Sequence, residues 1–368
     1  MIFDKRELLT CLEVIEKALP VRSPVSVINN IFLNCQEEKV LFSATNLELE
    51  IKYTLPHPGQ NKFKVLLPPR IVDIIRYLPD QQVKISCDLE RHGINITSGP
   101  ASYSLYGADA AEYPVSSLST EESTYVDISQ ARLKQALRQV VFASSNEEGR
   151  PVFTGLLFTF DETGVTITGS DTYRVALLKM SVSGSLSTPQ QVLIPARTIR
   201  ELVKILNDVE QTVRIGFHKN QVSFDFQQVN VVAKVLDEKF PDITGIIPSD
   251  YKTRVQLPRE QFEETVTRAS LLAEGINRAV CLSLNGSNLQ VSTSSQVGKM
   301  EEGQAVEAEG EDFKIYLNSR FLLEMMRAVD YKLFRAEFNG TNGPVIFRPG
   351  EEEEENYLYL VLPIKMTS

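Results

Sequence analysis

The sequence contains no tryptophan, only three histidines and only four cysteines. The cysteines are Cys11, Cys35, Cys87 and Cys281. They are far apart and form no C-x-x-C pair, which argues against a structural zinc site and against a disulfide framework. We expect small, buried thiols in a reducing compartment. The histidines stand singly, so neither a catalytic triad nor a histidine-based metal cluster is predicted.

Long apolar runs are also missing. No stretch approaches the roughly 18–20 apolar residues that a membrane-spanning helix needs. The opening MIFDKRELLT mixes acidic and basic residues and has no apolar signal core, so we do not expect export. With 42% hydrophobic and 23% charged residues, the chain is predicted to be globular and cytoplasmic. Its 368 residues fit two or three domains.

The sequence also lacks the common catalytic and nucleotide-binding motifs. There is no G-x-x-x-x-G-K-[ST] phosphate loop, no G-x-G-x-x-G after a strand, no G-x-S-x-G and no H-E-x-x-H. The carboxylate pairs Glu48/Glu50 and Glu263/Glu264 are available for acid–base chemistry, but their strand and helix-surface settings favour simple solvation. The sequence therefore predicts no enzymatic activity, no cofactor and no metal. A metal-dependent hydrolase using surface carboxylates is the enzymatic alternative.

What the chain does contain is one unit repeated three times. A strand-like segment followed by a short helix occurs as VLLPPRIVDIIRYL, VLIPARTIRELVKIL and IYLNSRFLLEMMRAV, each with an arginine near its middle. Three matching tripeptides between the helices recur at spacings of 125 and 124 residues; they are 44–46, 169–171 and 293–295. Self-similarity at a fixed period indicates a repeated structural unit. The domains are then expected at residues 1–123, 124–250 and 251–368.

Each unit combines helices with strands of alternating polarity. Segments such as VLFSATNLELEI, VRIGFHKNQVSFDF and NLQVSTSS alternate apolar and polar residues, which predicts antiparallel strands. Amphipathic helices begin near Asp4, Ser129 and Pro258, with the first two as caps and the proline in the first turn. Two helices packed on antiparallel sheets in each domain give an α+β fold.

Basic residues are concentrated in the predicted helices. The whole chain has a net charge of −10, which at first sight speaks against a nucleic-acid partner. The six helices nevertheless carry six more basic than acidic residues. If they line one surface, that surface attracts phosphates without reading bases. Exposed Lys and Arg are also ordinary on amphipathic helices, so charge alone leaves the question open.

The segments SATNLELEI, TGSDTYRVAL, VLIPARTIRELVKIL, VLDEKFPD and YLVLPIKM occur in this order along the chain. Their order and spacing resemble the bacterial DNA polymerase III β sliding clamp family along essentially the whole chain. The resemblance implies three domains of the DNA-clamp fold in a head-to-tail homodimeric ring. It implies a processivity factor that encircles duplex DNA without sequence specificity and tethers the replicative polymerase, the clamp loader and other DNA enzymes. A clamp-fold paralogue that binds partners without encircling DNA is the alternative.

The helix charges and the resemblance together indicate DNA-contacting residues. Arg22 and Arg150 match DNA-contacting arginines of the family, and the basic helix positions supply the others. The full predicted set is Arg22, Arg70, Lys134, Arg138, Arg150, Arg197, Arg200 and Lys204.

The resemblance further implies a groove on the second and third domains that binds linear peptides. Its wall would comprise Phe153, Ser170, Thr172, Tyr173, Arg174, Val175, Pro241, Ile246, Leu360, Leu362, Pro363, Ile364, Lys365 and Met366. The dimer seam would join Tyr103 and Leu105 on an edge strand of the first domain to Leu271 and Leu272 on the third. Many family members have histidine at the Tyr173 position, often tyrosines at Pro151 and Val152, and some have arginine at Gly245. These departures concern peptide preference and DNA contact rather than the fold.

Overall fold

The computed structural model describes residues 1–56, 62–88, 90–114, 125–147, 149–183, 189–275, 278–350 and 356–365. These ranges contain six α-helices and 25 β-strands. The helices are α1 (Lys5–Ile15), α2 (Ile71–Tyr77), α3 (Gln130–Val141), α4 (Ala196–Ile205), α5 (Arg259–Ser270) and α6 (Ser319–Ala328). The strands are β1 (Ile2–Asp4), β2 (Ile31–Cys35), β3 (Lys39–Thr45), β4 (Leu49–Pro56), β5 (Phe63–Leu67), β6 (Gln82–Asp88), β7 (Gly93–Ser98), β8 (Ala101–Tyr106), β9 (Tyr125–Ser129), β10 (Gly155–Asp161), β11 (Gly164–Ser170), β12 (Arg174–Met180), β13 (Gln190–Pro195), β14 (Thr212–His218), β15 (Gln221–Phe226), β16 (Val229–Lys234), β17 (Thr253–Pro258), β18 (Ala279–Asn285), β19 (Asn288–Ser294), β20 (Lys299–Ala305), β21 (Glu307–Gly310), β22 (Phe313–Asn318), β23 (Leu333–Phe338), β24 (Val345–Pro349) and β25 (Tyr357–Val361).

Helix α1 illustrates why these segments are helical. Its buried residues are Leu8, Cys11, Leu12 and Ile15. Their i, i+3, i+4, i+7 spacing places all four on one face. The carboxylate of Asp4 accepts hydrogen bonds from the backbone amides of residues 6 and 7, which confirms the predicted cap. The expectation for Pro258 was wrong, because this residue is the N-cap of α5 and the last residue of β17.

The chain divides into two compact units, which are residues 1–131 with 201–235 and residues 132–200 with 236–368. The first unit contains a four-stranded sheet, β1-β6-β7-β8, and an eight-stranded sheet, β5-β2-β3-β4-β16-β15-β14-β9. Helices α1 and α2 pack against each other there. The second unit contains a four-stranded sheet, β20-β19-β18-β22, and a nine-stranded sheet, β13-β10-β11-β12-β25-β24-β23-β17-β21, and in it α5 packs against α6.

Both large sheets continue from one repeat into the next. Strand β4 of the first repeat pairs antiparallel with β16, the last strand of the second. Strand β12 of the second repeat pairs in the same way with β25, the last strand of the third. These strand edges are therefore closed within the chain, whereas β8 and β20 are outer strands of the four-stranded sheets. In each repeat, four or five strands follow the first helix and three follow the second.

Three of the four cysteines are buried, as expected, and the fourth is half-buried. Cys11, Cys35 and Cys281 are buried, Cys87 is half-buried, and none of the four is in a disulfide. Burial raises the pKa of the Cys87 thiol to about 11, so it stays protonated near neutral pH. Across the part of the chain that the structure describes, no helix combines the length and the apolar character needed to cross a membrane.

Candidate functional site

A strip of apolar side chains covers one face of the nine-stranded sheet. Val175 and Leu177 on β12 lie opposite Leu360 and Leu358 on β25, and Ile346 on β24 also lies opposite Leu360. Alternate residues of a strand point to the same face, so these five side chains share one surface. Four of them are buried and Leu177 is partly buried. Two predicted groove residues, on β12 and β25, thus form the floor of this strip.

The segment that follows β16 covers part of the strip. Ile243 and Ile247 pack against it from either end of a short 3₁₀ turn, Thr244–Ile246. The side chain of Asp242 accepts hydrogen bonds from the amide and hydroxyl of Thr244, at 2.9 and 2.7 Å, and these bonds hold the pKa of the carboxyl below its usual value. The turn leaves Ile246 half exposed beside the strip.

An aromatic contact connects Phe153 to the same segment. The ring of Phe153, in the 3₁₀ turn Pro151–Thr154, packs edge-to-face on Phe240 with ring centroids 5.8 Å apart. Pro241 follows directly and is exposed. Two predicted groove residues that are far apart in sequence are therefore tied to one another through Phe240, which sequence reasoning did not select for the site.

The tight turn Ser170–Arg174 lies at one end of β12. The hydroxyl of Ser170 donates to the Arg174 carbonyl at 2.8 Å, and the Asp171 carboxylate accepts from the amides of Tyr173 and Arg174 at 3.0 and 3.1 Å. Thr172 has φ of 78°, a left-handed conformation that residues other than glycine rarely adopt. These hydrogen bonds offset that strain, and they present Tyr173 with 63% of its surface exposed.

The C-terminal segment is attached to this turn. The amide of Leu362 donates to the carbonyl of Tyr173 at 2.9 Å, and the amide of Ile364 donates to the carbonyl of Tyr316 at 2.8 Å. Leu362 is 40% exposed and Ile364 is half-buried. The remaining predicted members are Pro363, half-buried, Lys365, exposed, and Met366, which lies outside the described residues. The segment is therefore held in place rather than frayed.

Arg174 supports the turn from the helix side of the sheet. Its guanidinium donates to Asp171 at 2.8 Å, to Glu324 on α6 at 2.6 Å and to the carbonyl of Phe142 at 2.8 Å. It also lies over the ring of Phe321, 4.3 Å from the centroid. Burial opposes the charge, but the surrounding negative groups outweigh it and raise the pKa of Arg174 above its ordinary value. Only 3% of Arg174 is exposed, so it shapes the site rather than offering surface.

The residues that hold Arg174 were not found from the sequence. Glu324 also accepts from the Arg320 guanidinium at 2.7 Å, and along the chain this is an ordinary i, i+4 helix pair. Nothing in that local pattern points to a partner 150 residues away. Ile243, Ile247 and Ile346 were missed as well, and β24, with the sequence VIFRP and four of its five residues buried, has no alternation that would have marked Ile346.

Four of the predicted DNA-contacting arginines are exposed. Arg22 lies in the loop after α1, Arg70 directly precedes α2, Arg150 precedes the turn Pro151–Thr154, and Arg197 is in the first turn of α4. Among the residues that the structure describes, none of the four has an acidic partner. Their guanidinium groups are available to an external anion.

Two further cations have weak ion pairs at the surface. Arg138 lies 3.4 Å from Asp330, and Lys204 lies 2.8 Å from Glu201. The side chains of Arg138 and Lys204 are 45% and 55% exposed, so each pair contributes at most about 1 kcal/mol. An incoming phosphate could replace either carboxylate at little cost.

Arg200 and Lys134 are less accessible than the other six. Arg200 is half-buried, and its guanidinium donates to the hydroxyl of Ser144 at 3.0 Å. Burial lowers the pKa of Arg200, although the charge of Glu324 partly compensates. Lys134 is also half-buried, on α3. The structure thus divides the predicted cations into exposed, weakly paired and partly buried groups.

Two of the predicted seam residues lie on an outer strand, and the other two directly follow α5. Tyr103 and Leu105 are on the outer strand β8, where Tyr103 is 40% exposed and Leu105 is half-buried. Leu271 directly follows α5 and is 80% exposed. Leu272 is half-buried near Gly298, just before the outer strand β20. Within the described ranges, no group of three or more His, Cys, Asp or Glu is placed to hold a metal ion.

Each third of the chain matches one domain of a three-domain protein. The matches are to the DNA polymerase III beta subunit N-terminal domain at residues 1–117, the central domain at 127–242 and the C-terminal domain at 244–365. The chain belongs to the DNA polymerase III beta subunit family.

Named relatives and solved structures cover nearly the whole chain. The chain is 32% identical over 361 residues to the beta sliding clamp of Staphylococcus aureus and 31% identical to that of Staphylococcus epidermidis, in each case over 95% of this chain and 94% of the relative. The crystal structure of the DNA polymerase sliding clamp from Bacillus subtilis superposes with a TM-score of 0.92 at 27% identity, covering 100% of this chain and 99% of that one.

These comparisons confirm two predictions from the sequence. The chain has three domains of the clamp fold, with helices packed on antiparallel sheets. The names of its relatives fit the sliding-clamp interpretation and do not fit the alternative of a clamp-fold paralogue that binds partners without encircling DNA.

Proposed function

We propose that two copies of this chain form a closed ring around duplex DNA and hold the replicative polymerase and other DNA enzymes on it, without catalysing a reaction. The open sheet edges carry this proposal. Unpaired outer strands invite uncontrolled association, and a closed dimer satisfies two such edges at once. We assign β8 of one copy to the edge at β20 of the second, with Tyr103 and Leu105 facing Leu271 and Leu272.

The exposed arginines support a DNA contact that does not read sequence. Arg22, Arg70, Arg150 and Arg197 supply positive charge and can each meet a phosphate, while Arg138 and Lys204 can exchange their carboxylates for one. Side chains of this kind position a duplex but carry little base information. Such binding weakens steeply with salt, so lasting attachment to DNA must come from ring closure rather than from the contacts alone.

The apolar strip on β12, β24 and β25 supports peptide binding. Its floor is formed by buried residues, and the exposed rim residues Tyr173, Ile246 and Leu362 stand beside it. An extended segment with an apolar end would bury these rim side chains, at about 25 cal/mol per Å². After the entropy cost of ordering the peptide is subtracted, this burial allows micromolar affinity. Such affinity suits partners that exchange on the groove. We assign partner polymerases and the clamp loader to this groove.

The assigned domains are residues 1–123, 124–250 and 251–368, and the cellular location that fits the function is the cytoplasm. Mass in solution tests the ring. Sedimentation equilibrium should give about 83 kDa, twice the chain mass of 41.3 kDa. A mass of one chain at micromolar concentration would leave an open molecule and overturn the proposal.

A further inference from the structure

The third repeat has an exposed arginine at the position of two predicted DNA contacts. Arg320 is the second residue of α6, as Arg197 is of α4, and Arg70 directly precedes α2. The side chain of Arg320 is 56% exposed. Among the residues that the structure describes, its only acidic partner is Glu324. Arg320 therefore completes a set of three cations, one in each repeat, that can bind phosphates.

Glu324 is shared between this surface arginine and the buried Arg174. Its Oε1 atom accepts a hydrogen bond from Nε of Arg320 at 2.7 Å, and its Oε2 atom accepts one from Nη1 of Arg174 at 2.6 Å. The side chain of Arg174 is only 4% exposed. One carboxylate thus joins an exposed guanidinium to a buried one.

Arg174 extends this contact to the rim of the groove. Its Nε donates to Oδ2 of Asp171 at 2.8 Å, and Oδ1 of Asp171 accepts from the amides of Tyr173 and Arg174. The carbonyl of Tyr173 in turn accepts from the amide of Leu362. A continuous series of hydrogen bonds therefore connects Arg320 on α6 to the two exposed residues of the rim.

The turn at the rim depends on these bonds because it is strained. Thr172 has φ of 78°, a conformation that costs free energy for any residue with a branched side chain. The bonds to Asp171 offset this cost, and Asp171 is itself held by Arg174. The order of the rim therefore depends on how firmly Arg174 is held.

The two bonds to Glu324 differ in strength. Arg320 and Glu324 form an exposed i, i+4 helix pair, which contributes little to stability. The bond to Arg174 is in a buried setting, where charges interact more strongly. Arg200 lies close enough for its charge to interact with Glu324, but it donates its hydrogen bond to Ser144. A phosphate, which can bind a guanidinium through two charge-assisted hydrogen bonds, can therefore take Arg320 from Glu324 without breaking the buried pair.

We propose that Glu324 couples phosphate binding at Arg320 to peptide binding in the groove. When a phosphate binds Arg320, Arg174 becomes the one hydrogen-bonding partner of the Glu324 carboxylate and is held more firmly. Less order then has to be imposed on the rim when a peptide binds. DNA in the ring therefore raises the affinity of the groove for its partners, and a bound peptide raises the affinity for DNA by the same factor.

This inference rests on the proposed function, because it takes the groove as the peptide site and the helix arginines as DNA contacts. Its consequence is that partner enzymes favour a clamp that is already on DNA over a free one. The coupling acts within the second unit, which contains Arg320, Glu324, Arg174 and the rim.

Peptide binding with and without DNA tests the coupling. Fluorescence anisotropy measures the affinity of a labelled clamp-binding peptide of the polymerase, first for the protein alone and then with a saturating short duplex. The duplex should increase the affinity of the wild type about fivefold. Arg320→Ala frees Glu324 for Arg174, so without DNA it should already bind the peptide about fivefold more tightly than the wild type does. No effect of the duplex on the wild type, or wild-type affinity in DNA-free Arg320→Ala, would overturn the coupling.

Arg327→Ala is the matched control. Arg327 lies on the same helix, its side chain is 60% exposed, and it pairs with Glu263 at 3.2 Å. Within the described ranges, Glu263 pairs with Arg259 and Arg327 and not with Arg174. Arg327→Ala should keep the wild-type peptide affinity without DNA and the wild-type increase with the duplex. Equal gains in Arg327→Ala and Arg320→Ala would show that only net charge matters, which would refute the coupling.

Glu324→Gln identifies the group that carries the coupling. At a temperature where its circular dichroism matches that of the wild type, neither the duplex nor an added Arg320→Ala substitution should change its peptide affinity, because the shared charge is absent. A gain from Arg320→Ala in this background would overturn the role of Glu324. Failure of the proposed function has a different result, since the wild type would then bind neither the peptide nor the duplex. Binding of both without mutual effect contradicts the coupling alone.

Discussion

The amide nitrogen of Leu362 lies 2.9 Å from the carbonyl oxygen of Tyr173 and donates a hydrogen bond to it. This contact joins the residue after the last strand of the third repeat to the rim turn of the second. Leu362 and Tyr173 are 40% and 63% exposed, and both present apolar surface. The position of the exposed rim therefore depends on residues within a few positions of the C-terminus, and substitutions there should affect partner binding before they affect the fold.

Leu362→Asp should reduce the affinity for a clamp-binding peptide of the polymerase at least about tenfold. The substitution replaces an apolar contact worth roughly 1.5–3 kcal/mol with a desolvated charge. Fluorescence anisotropy with a labelled peptide measures the change. Val209→Asp is the matched control, because Val209 is 38% exposed and lies in the other unit. Deleting residues 363–368 should have the same effect as Leu362→Asp, and the truncated protein should remain a dimer. Unchanged affinity in both variants would remove the groove assignment.

Leu271→Asp combined with Tyr103→Asp should convert dimers to monomers. Each substitution buries a carboxylate at the proposed seam without a partner, which costs several kcal/mol. Light scattering should show the mass falling from about 83 kDa to the 41.3 kDa of one chain. Tyr77→Asp, at a position that is 80% exposed at the end of α2, should leave the mass unchanged. A persistent dimer in the double variant would place the seam elsewhere.

Arg197→Ala should weaken binding to short duplex DNA and flatten its salt dependence. Loss of one phosphate contact lowers the slope of log affinity against log salt by about 0.9. Lys219→Ala removes an exposed charge from the turn between β14 and β15, and it should leave the slope unchanged. The effect should be independent of DNA sequence, as measured by titration on two unrelated duplexes. Equal slope changes for Arg197 and Lys219 would show that only the net charge of the protein matters.

Glu324→Gln should make the stability of the second unit depend less on pH in the acid range. Burial alone would raise the pKa of Glu324, but the hydrogen bond from Arg320 and the charge of Arg174 outweigh it and lower the pKa from 4.5. A carboxyl with a lowered folded-state pKa contributes stability above its unfolded pKa, and this contribution is lost as the pH falls through the folded value. The urea concentration at the unfolding midpoint of the wild type should therefore decrease as the pH is lowered below about 4.5. The midpoint of Glu324→Gln should decrease less over the same pH range.

At pH 7, Glu324→Gln should destabilise the unit by about 2–3 kcal/mol, less than for an isolated buried pair because Asp171 still faces Arg174. Glu264→Gln is the control. This glutamate is paired with Arg268 but 72% exposed, so its removal should cost under about 1 kcal/mol. Matching pH profiles for wild type and Glu324→Gln would show that the buried pair does not control acid stability.

The repeat, its turns and the first helix cap were predictable because each depends on residues that are close together in the sequence. Tripeptides 44–46 and 169–171 recur at one spacing because each builds the same turn, and Asn46 and Asp171 are short acceptors that suit it. Asp4 was recognised as a cap for the same reason. What a local pattern does not contain is the register of β12 against β25, or the pairing of Arg174 with Glu324 across 150 residues.

Retention on DNA tests the ring most directly. The protein is loaded onto a closed circular duplex, isolated with it at a salt concentration that removes direct contacts, and the circle is then cut once. Topological encirclement predicts stable retention before the cut and release by sliding off the ends afterwards, with retention restored by a bulky block at each end. Equal retention on the cut and uncut DNA, or release from the intact circle at the same salt concentration, would contradict encirclement.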